Sequence, residues 1–273
     1  MLVVVGTVDD FRPFSARLRF ILQCASALLL CASGGAVLSS FGNLLATGPI
    51  MLGGHGLWLS VFALVGVINA INMIDGVDGL AASLLAQIFV WYGVLSWGQL
   101  LLKSWLFLCF VGVLITYLHF NFRQFGQKRA KVFMGDAGSL LWGLLVGWGA
   151  ITLSQGSHAV APPVVFLWIL AVPLYDTGQV MWFRLCQGRS VLSPDRGHLH
   201  HQLMMRGSST TMVVLKMNLL AMVMAGLGLL GWQLGVPEVG LFTGFAFGFM
   251  IFTGVMAKIR GNADRLLKVK QGK

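Results

Sequence analysis

Charged residues are scarce in this chain. Only 10% of its 273 residues are Asp, Glu, Lys or Arg, whereas an ordinary soluble domain has about 25%. The chain is 57% hydrophobic, and its mean hydropathy is +0.81. This composition excludes a water-soluble globular domain and predicts an integral membrane protein.

Cysteine is also rare, and the four cysteines match no metal-binding spacing. All four lie in or beside apolar runs, so we interpret them as small buried thiols. The cysteines are Cys24, Cys31, Cys109 and Cys186.

No secretory leader is expected before the first span, because residues 1–8 are too short and lack a basic start.

Apolar runs recur along the chain, each near the ~20 residues that cross a bilayer as one helix. Residues 1–8 are apolar but too short to cross, and we interpret them as the end of a further helix. The predicted fold class is all-α, a polytopic integral membrane bundle with about eight full transmembrane helices plus an N-terminal partial one. It forms a single domain over residues 1–273, with a basic cytoplasmic tail at 258–273. The predicted full spans are residues 20–38, 57–74, 80–97, 100–119, 138–153, 164–183, 212–232 and 239–257.

The positions of the basic residues indicate the membrane topology of the chain. Of the 19 Lys and Arg, 17 fall in one alternate set of loops and in the tail. The positive-inside rule places those loops in the cytoplasm. The net charge of +10 therefore does not indicate nucleic-acid binding, and attraction of the tail to anionic lipid is a secondary alternative.

Eight of the nine acidic residues lie on that same side. Five of them fall at predicted helix ends, at one level of the membrane. We infer a cleft on the cytoplasmic face, lined by carboxylates and rimmed by Arg, Lys and His. A polar helix-to-helix turn is the alternative for the Asp-Gly steps. The five are Asp9, Asp10, Asp75, Asp78 and Asp136.

Clustered carboxylates favour a hard divalent cation. Oxygen ligands suit Mg²⁺, with Mn²⁺ as an alternative, whereas zinc prefers Cys and His. The surrounding basic residues fit a phosphate or diphosphate substrate. The stretch FMGDAGS at 133–139 opens a span and could hold an anion at a helix N-terminus, but it lacks the Lys-Ser/Thr pair of a P-loop.

The HLHH segment is the second candidate site. His198, His200 and His201 could donate hydrogen bonds to phosphate oxygens or transfer protons. A zinc site is the weaker interpretation, because the spacing matches neither a metalloprotease nor a zinc finger. Histidines without a role in a surface loop remain a further alternative.

Four blocks together resemble one family. They are GTVDD (6–10), NAINMIDGVDGL (69–80), KVFMGDAGSL (131–140) and SPDRGHLHH (193–201). In order and in topology they are similar to the polyprenyl-phosphate N-acetylhexosamine-1-phosphate transferases, across essentially the whole chain. The HLHH block preceded by SPDR resembles the branch that uses UDP-GlcNAc rather than the branch that uses phospho-MurNAc-pentapeptide.

The resemblance implies a role for each motif residue. Asp136 and Asp75 are the implied metal ligands. Asp9 would deprotonate or orient the lipid phosphate, and Phe133 would stack on uracil. The implied catalytic residues are Asp9, Asp10, Asp75, Asp78, His198, His200 and His201. The implied substrate-binding residues are Asn69, Asn72, Asn121, Lys131, Phe133 and Arg196.

The resemblance also implies an activity. It is Mg²⁺-dependent transfer of GlcNAc-1-phosphate from UDP-GlcNAc to undecaprenyl phosphate in the bacterial inner membrane. UMP is released on the cytoplasmic side, and the product starts a lipid-linked cell-envelope glycan such as an O-antigen. The expected partners are the UDP-sugar, the lipid phosphate and membrane lipid, without nucleic acid and with a homodimer left open. The nearest alternatives are the same family with another UDP-N-acetylhexosamine or with phospho-MurNAc-pentapeptide.

Two alternatives come from other classes. One is an ion-coupled transporter, which the placement of the aspartates at one face disfavours. The other is an inactive membrane remnant. Family members carry further spans before the double aspartate, and relative to that pattern roughly two spans of about 20 residues each are expected to be missing.

Overall fold

The computed structural model describes residues 1–12, 14–34, 36–122, 130–190 and 197–271, with side chains as far as residue 261. Within them the chain is helical, and β structure is limited to one isolated bridge between Ser40 and Met51. The helices are α1 (Leu2–Phe11), α2 (Ala16–Ala32), α3 (Gly56–Ile74), α4 (Leu80–Ser96), α5 (Leu101–Asn121), α6 (Gly135–Ser154), α7 (Pro163–Ile169), α8 (Ala171–Cys186), α9 (Leu199–Met205), α10 (Thr210–Gln233) and α11 (Glu238–Gln271).

Helix α3 lies at the centre of the bundle and packs against α2, α6 and α8. Its contact with α6 is close, because a Cβ on Gly143 would come within 2.7 Å of the Ile68 Cα. The largest apolar cluster joins α4, α5, α6 and α7 around the buried rings of Phe89, Tyr92 and Phe107. These helices hold the ends of α3 and α6 in fixed positions relative to each other.

The all-helical, polytopic membrane fold is confirmed. Five helices in the described part are long and apolar enough to cross a membrane, and the bent pair α7–α8 would be a sixth. The two other predicted spans correspond to α2 and α4, which have 17 residues each. The count of eight full crossings stays a prediction.

Two predicted spans differ in the structure. The run 164–183 is not one straight helix, since α7 and α8 meet at a 79° bend. Pro173 lacks the N–H that would continue the helix from Ile169, which accounts for the break. The run 20–38 is also shifted: α2 begins after the N-cap Ser15 and ends at Ala32, before Gly34 with φ +83°.

The two ends of the chain and the cysteines add further detail. Asp9 and Asp10 lie in the last turn of α1, which continues beyond the apolar segment to Phe11. The basic tail is helical as far as Gln271, as a continuation of α11. Cys109 and Cys186 are exposed and not buried, because they lie on outward faces of α5 and α8.

Candidate active site

A cleft of about 510 Å³ opens at the end of the bundle where α1 and α3 end and where α4 and α6 begin. The five aspartates from separate parts of the sequence all line it. The cleft therefore brings together three of the four sequence blocks. Its lining is Asp9, Asp10, Arg19, Asn72, Asp75, Gly76, Val77, Asp78, Asn121, Phe133, Met134, Gly135 and Asp136.

The contact between α1 and α6 fixes one wall of the cleft. A Cβ on Gly6 would lie 2.2 Å from the Ala137 Cα, so the first block packs directly on the start of α6. Asp10 then accepts a hydrogen bond from the Asp136 N–H at 3.0 Å, which satisfies a free donor at that helix N-terminus. Gly135 has φ +65°, and a Cβ there would meet Asp10 Oδ2 at 2.7 Å. Both glycines are needed for this approach of the two aspartates.

Arg19 connects the two walls. Its Nε lies 3.4 Å from Asp9 Oδ2, and its Nη1 donates to Asp136 Oδ2 at 3.3 Å. Asp9 is 5% exposed and also accepts from the Phe14 N–H. A guanidinium thus neutralises two of the carboxylates, one from α1 and one from α6.

Asn72 orients Asp136 from the α3 side. Its amide donates to Asp136 Oδ1 at 2.9 Å and to Ser139 Oγ at 2.8 Å. Asp75 follows in the turn after α3, where burial raises its pKa to about 6 and the negative charges of Asp136 and Asp78 act in the same direction. A bound cation would relieve this repulsion.

Asn121 holds the other side of the cleft together. Its Oδ1 accepts from the Gly79 N–H at 2.6 Å, and its amide donates to the Val132 carbonyl at 2.7 Å. The side chain therefore ties the turn with the two aspartates to the segment that leads into α6. Its predicted substrate-binding role is untested, and both ends of its amide are already bonded to backbone.

A second cavity of about 110 Å³ adjoins the cleft between α2, α3 and α6. Asn69, predicted as a substrate-binding residue, lines this cavity and not the cleft. Its amide donates to Gln23 Oε1 at 2.6 Å and to the Val65 carbonyl. Arg19, Asn72 and Asp136 line both spaces, so they lie at the junction.

The histidines lie beside the cleft and do not line it. His198 and His200 are buried, and their rings stack at 5.6 Å between centroids. His200 Nε2 lies against Gly76, where an added Cβ would be 2.7 Å away. Burial lowers the pKa of His200 to about 4. The negative charge of Asp176 raises this pKa, whereas His201 and His198 lower it further. The HLHH block thus packs behind the turn that holds Asp75.

The remaining predicted residues differ in position. Phe133 is 73% exposed and lines the cleft, with its ring accessible. Lys131 is exposed outside the cleft lining, and its backbone N–H donates to the Phe120 carbonyl. Arg196 lies outside the described residues.

Sequence reasoning missed three residues. Arg19 was counted only as a topological charge, although its place at the start of a span beside the acidic cluster was a usable signal. Asp176 lies inside the predicted span 164–183, and a carboxylate inside an apolar run is itself a signal of function. Gln23 gave no signal, because its link to Asn69 depends on packing between helices.

The donor chemistry of the cleft fits Mg²⁺. In the described part of the chain, no three metal-ligating side chains converge closely enough to hold a metal on their own. Mg²⁺ needs only one or two protein carboxylates, with water and phosphate in its other positions. Asp75 and Asp136 belong to the same electrostatic cluster and satisfy that requirement.

The fold and this site define a polytopic membrane protein with an acidic, arginine-bridged cleft at one end of its bundle. Residues 1–154 match the model of glycosyl transferase family 4. The chain is 36% identical over 271 residues to the undecaprenyl-phosphate alpha-N-acetylglucosaminyl 1-phosphate transferase of Escherichia coli O157:H7, covering 98% of this chain and 73% of that protein. The proteins of the same name from Yersinia pestis and Haemophilus influenzae are 35% and 36% identical, covering 98% and 92% of this chain and 73% and 71% of theirs. The chain belongs to glycosyl transferase family 4 and is a transferase.

Proposed function

We propose that this protein transfers N-acetylglucosamine-1-phosphate from UDP-GlcNAc to undecaprenyl phosphate with Mg²⁺ and releases UMP. The observation that carries the proposal is the convergence of the five aspartates and Arg19 on one cleft at the end of the bundle. The names of the similar transferases support both the sugar phosphate and the lipid acceptor.

The reaction is a single exchange at phosphorus. An oxygen of the lipid phosphate attacks the β-phosphorus of UDP-GlcNAc and forms a new P–O bond. The bond between the β-phosphorus and the bridging oxygen breaks, and that oxygen leaves with UMP. Such transfers require positioning and charge stabilisation above all, which a fixed cleft can supply. Mg²⁺, when bound, neutralises the diphosphate and the charge that develops on the leaving oxygen.

The side chains divide between the two substrates. Asp75 and Asp136 would hold the metal, and Asn72 keeps Asp136 in its orientation. Phe133 offers an exposed ring at the cleft for stacking on uracil. Asp9 is buried against Arg19 and would act on the acceptor phosphate through this arginine, which lines both spaces.

The adjoining cavity supports entry of the acceptor. It lies between α2, α3 and α6, and its polar lining continues into the acidic cleft. A phosphate that enters between these helices meets the Arg19 guanidinium at the junction of the two spaces. The nucleotide would then enter from the aqueous end, which we assign to the cytoplasm from the distribution of Lys and Arg.

The test measures UMP released by purified protein from UDP-GlcNAc and undecaprenyl phosphate, with and without Mg²⁺. Asp136→Asn and Asp9→Asn are each expected to reduce turnover by about 100-fold or more, because Asp136 would hold the metal and Asp9 holds Arg19, the two positive groups that act on the reacting phosphates. Glu238→Gln is the matched control, since Glu238 accepts a hydrogen bond from the Asn43 N–H at the opposite end of the bundle. Near-normal turnover in both aspartate variants would contradict the proposal, and competition between UDP-sugars would identify the preferred donor.

A further inference from the structure

A buried polar network joins α8, the start of α9 and α11 beside the cleft. Asp176, in α8, is 1% exposed, and its Oδ2 lies 2.8 Å from His198 Nδ1. Its Oδ1 accepts from the Leu199 N–H at 2.7 Å. The proposed transferase mechanism assigns no task to Asp176, so this burial of a carboxylate calls for an explanation.

The rest of the network holds this carboxylate and the α9 entrance in place. Gln179 Nε2 donates to the Gly197 carbonyl at 3.0 Å and reaches Asp176 Oδ1 at 3.5 Å. Arg260 donates to Gln179 Oε1 at 3.0 Å and to the same Gly197 carbonyl at 2.8 Å. Side chains from two helices thus fix the backbone on both sides of His198.

The two oxygens of Asp176 have separate tasks. A cap for α9 needs only one acceptor, and Oδ1 fills that position through the Leu199 N–H. Oδ2 faces the imidazole, and a carboxylate oxygen can only accept there. The proton of His198 must therefore be on Nδ1, which leaves Nε2 as the nitrogen that can accept a hydrogen bond or a proton.

His198 is connected to the cleft through its neighbours. Its ring stacks on His200, and His200 lies against Gly76 in the turn between Asp75 and Asp78. A rotation or a tautomer change at His198 would thus disturb the wall that carries two of the cleft carboxylates.

We propose that Asp176 is a positioning residue for the transfer reaction: it fixes the Nδ1–H tautomer and the ring orientation of His198 at the edge of the cleft. The assignment of a reaction to His198 rests on the proposed function. The tautomer itself is a property of the folded protein and can be measured without turnover.

The discriminating variant is Asp176→Asn. Asparagine can keep its oxygen on the Leu199 N–H and so preserve the cap on α9. Its amide would then face His198 Nδ1 and donate to it, which moves the imidazole proton to Nε2. The variant therefore alters the tautomer while it retains the shape and the helix start.

The first measurement is ¹⁵N NMR of histidine-labelled protein in detergent, with the His198 signals assigned by their loss in His198→Gln. The expected result is an Nδ1–H imidazole in the wild type and an Nε2–H imidazole in Asp176→Asn. A wild-type His198 with its single proton on Nε2, or an unchanged tautomer in Asp176→Asn, would overturn the proposal.

The second measurement is a double-mutant cycle on kcat. Asp176→Asn is expected to lower kcat by roughly 10- to 100-fold, by analogy with the loss of an orienting partner from a metal-bound histidine. In a His198→Gln background the same substitution should have almost no further effect, because Asp176 acts through that ring. An equal loss in both backgrounds would show a structural role and overturn the proposal.

Thr177→Val is the matched control. Thr177 is the next residue of α8, it is similarly buried, and its hydroxyl has no hydrogen-bond partner among the described residues. The control should keep kcat, the melting temperature and the His198 tautomer of the wild type. If the wild type releases no UMP, the proposed function fails, whereas the NMR result still decides whether Asp176 orients His198.

Discussion

At the scale of single residues, the geometry of the cleft depends on a few close contacts. Asp10 bonds to the Asp136 N–H beside Gly135, which adopts φ +65° and where a Cβ would displace the Asp10 carboxylate. Asp9 and Asp136 share Arg19, although 127 positions separate them. The aspartates supply the charge, and the small and basic residues between them set the geometry.

Gly135→Ala should therefore abolish most activity. Both the left-handed backbone and the contact with Asp10 oppose a Cβ at this position. Gly156→Ala is the control, because Gly156 has φ +77° but open space around it. Both variants should lose about 1–2 kcal/mol of stability from backbone strain. Only Gly135→Ala should lose about 100-fold in UMP release, since the carboxylates are displaced. Equal activities would refute this account of Gly135.

Asp75 gives a pH-dependent prediction in the absence of divalent metal. Its pKa is raised to about 6 by burial and by Asp136 and Asp78, so its charged form destabilises the fold. The cost is absent below about pH 4, where Asp75 is protonated in both states. It develops as the pH rises from about 4 to about 6, where only the unfolded state is ionised, and is complete above that range.

Asp75→Asn should accordingly raise the melting temperature at pH 8, by the equivalent of roughly 1–3 kcal/mol, with little effect at pH 4. Differential scanning fluorimetry in EDTA at both pH values measures this difference. Glu238→Gln, outside the cluster, is the control. A gain that is the same at both pH values would contradict the electrostatic explanation.

At the scale of elements, α3 and α6 determine where the site can form. Because Gly143 has no side chain, its backbone can lie close to the backbone of Ile68. Near the start of α6, Ser139 accepts a hydrogen bond from the Asn72 amide. Helices in membranes use small residues for such approaches, because packing drives their association. The metal-ligand candidates therefore lie at the ends of a closely packed pair of helices.

Gly143→Ala and Gly66→Ala form a matched pair on these two helices. A Cβ added to Gly143 would lie 2.7 Å from the Ile68 Cα, whereas a Cβ added to Gly66 would have no atom within 4 Å. Gly143→Ala should cost on the order of 1–3 kcal/mol through overpacking. Gly66→Ala should be neutral or gain roughly 0.5–1 kcal/mol from helix propensity. Melting temperatures in the same detergent test this, and similar values for both would contradict the close helix contact.

At the scale of the whole molecule, the two ends of the bundle are chemically different. One end carries the acidic cleft and the loops rich in Lys and Arg. The other carries polar links such as Gln155 to Ser39 and Glu238 to Asn43, without a comparable cluster among the described residues. The positive-inside rule predicts that the acidic end faces the cytoplasm.

Cysteine labelling tests that orientation. In a variant without the native cysteines, Gln187→Cys at the end of α8 should react with a membrane-impermeant maleimide only in inside-out vesicles. Thr47→Cys, exposed in the loop at the opposite end, should react in right-side-out vesicles. The reverse pattern would invert the proposed topology and place the cleft outside the cytoplasm.

Much of the fold and part of the site could be predicted from the sequence. Apolar runs located most helices to within a few residues, since crossing a bilayer imposes length and composition on each helix separately. The bend at Leu170 was missed, although Pro173 was visible, because a proline can also be accommodated in a membrane helix. Asn69 lines the adjoining cavity and not the cleft, which the sequence could not show because a motif does not reveal which face of a helix each residue occupies. Its substrate-binding role stays a prediction.

The amino-acid sequence by itself determined the membrane class, the single acidic end and the identity of the motif residues, because hydropathy and charge follow directly from the order of the residues. Only the tertiary structure decided that Arg19 joins Asp9 to Asp136, that Asn121 ties two loops together and that Asp176 meets His198. These contacts join distant positions through helix packing. Their geometry depends on close approaches of a few ångström that no local pattern encodes.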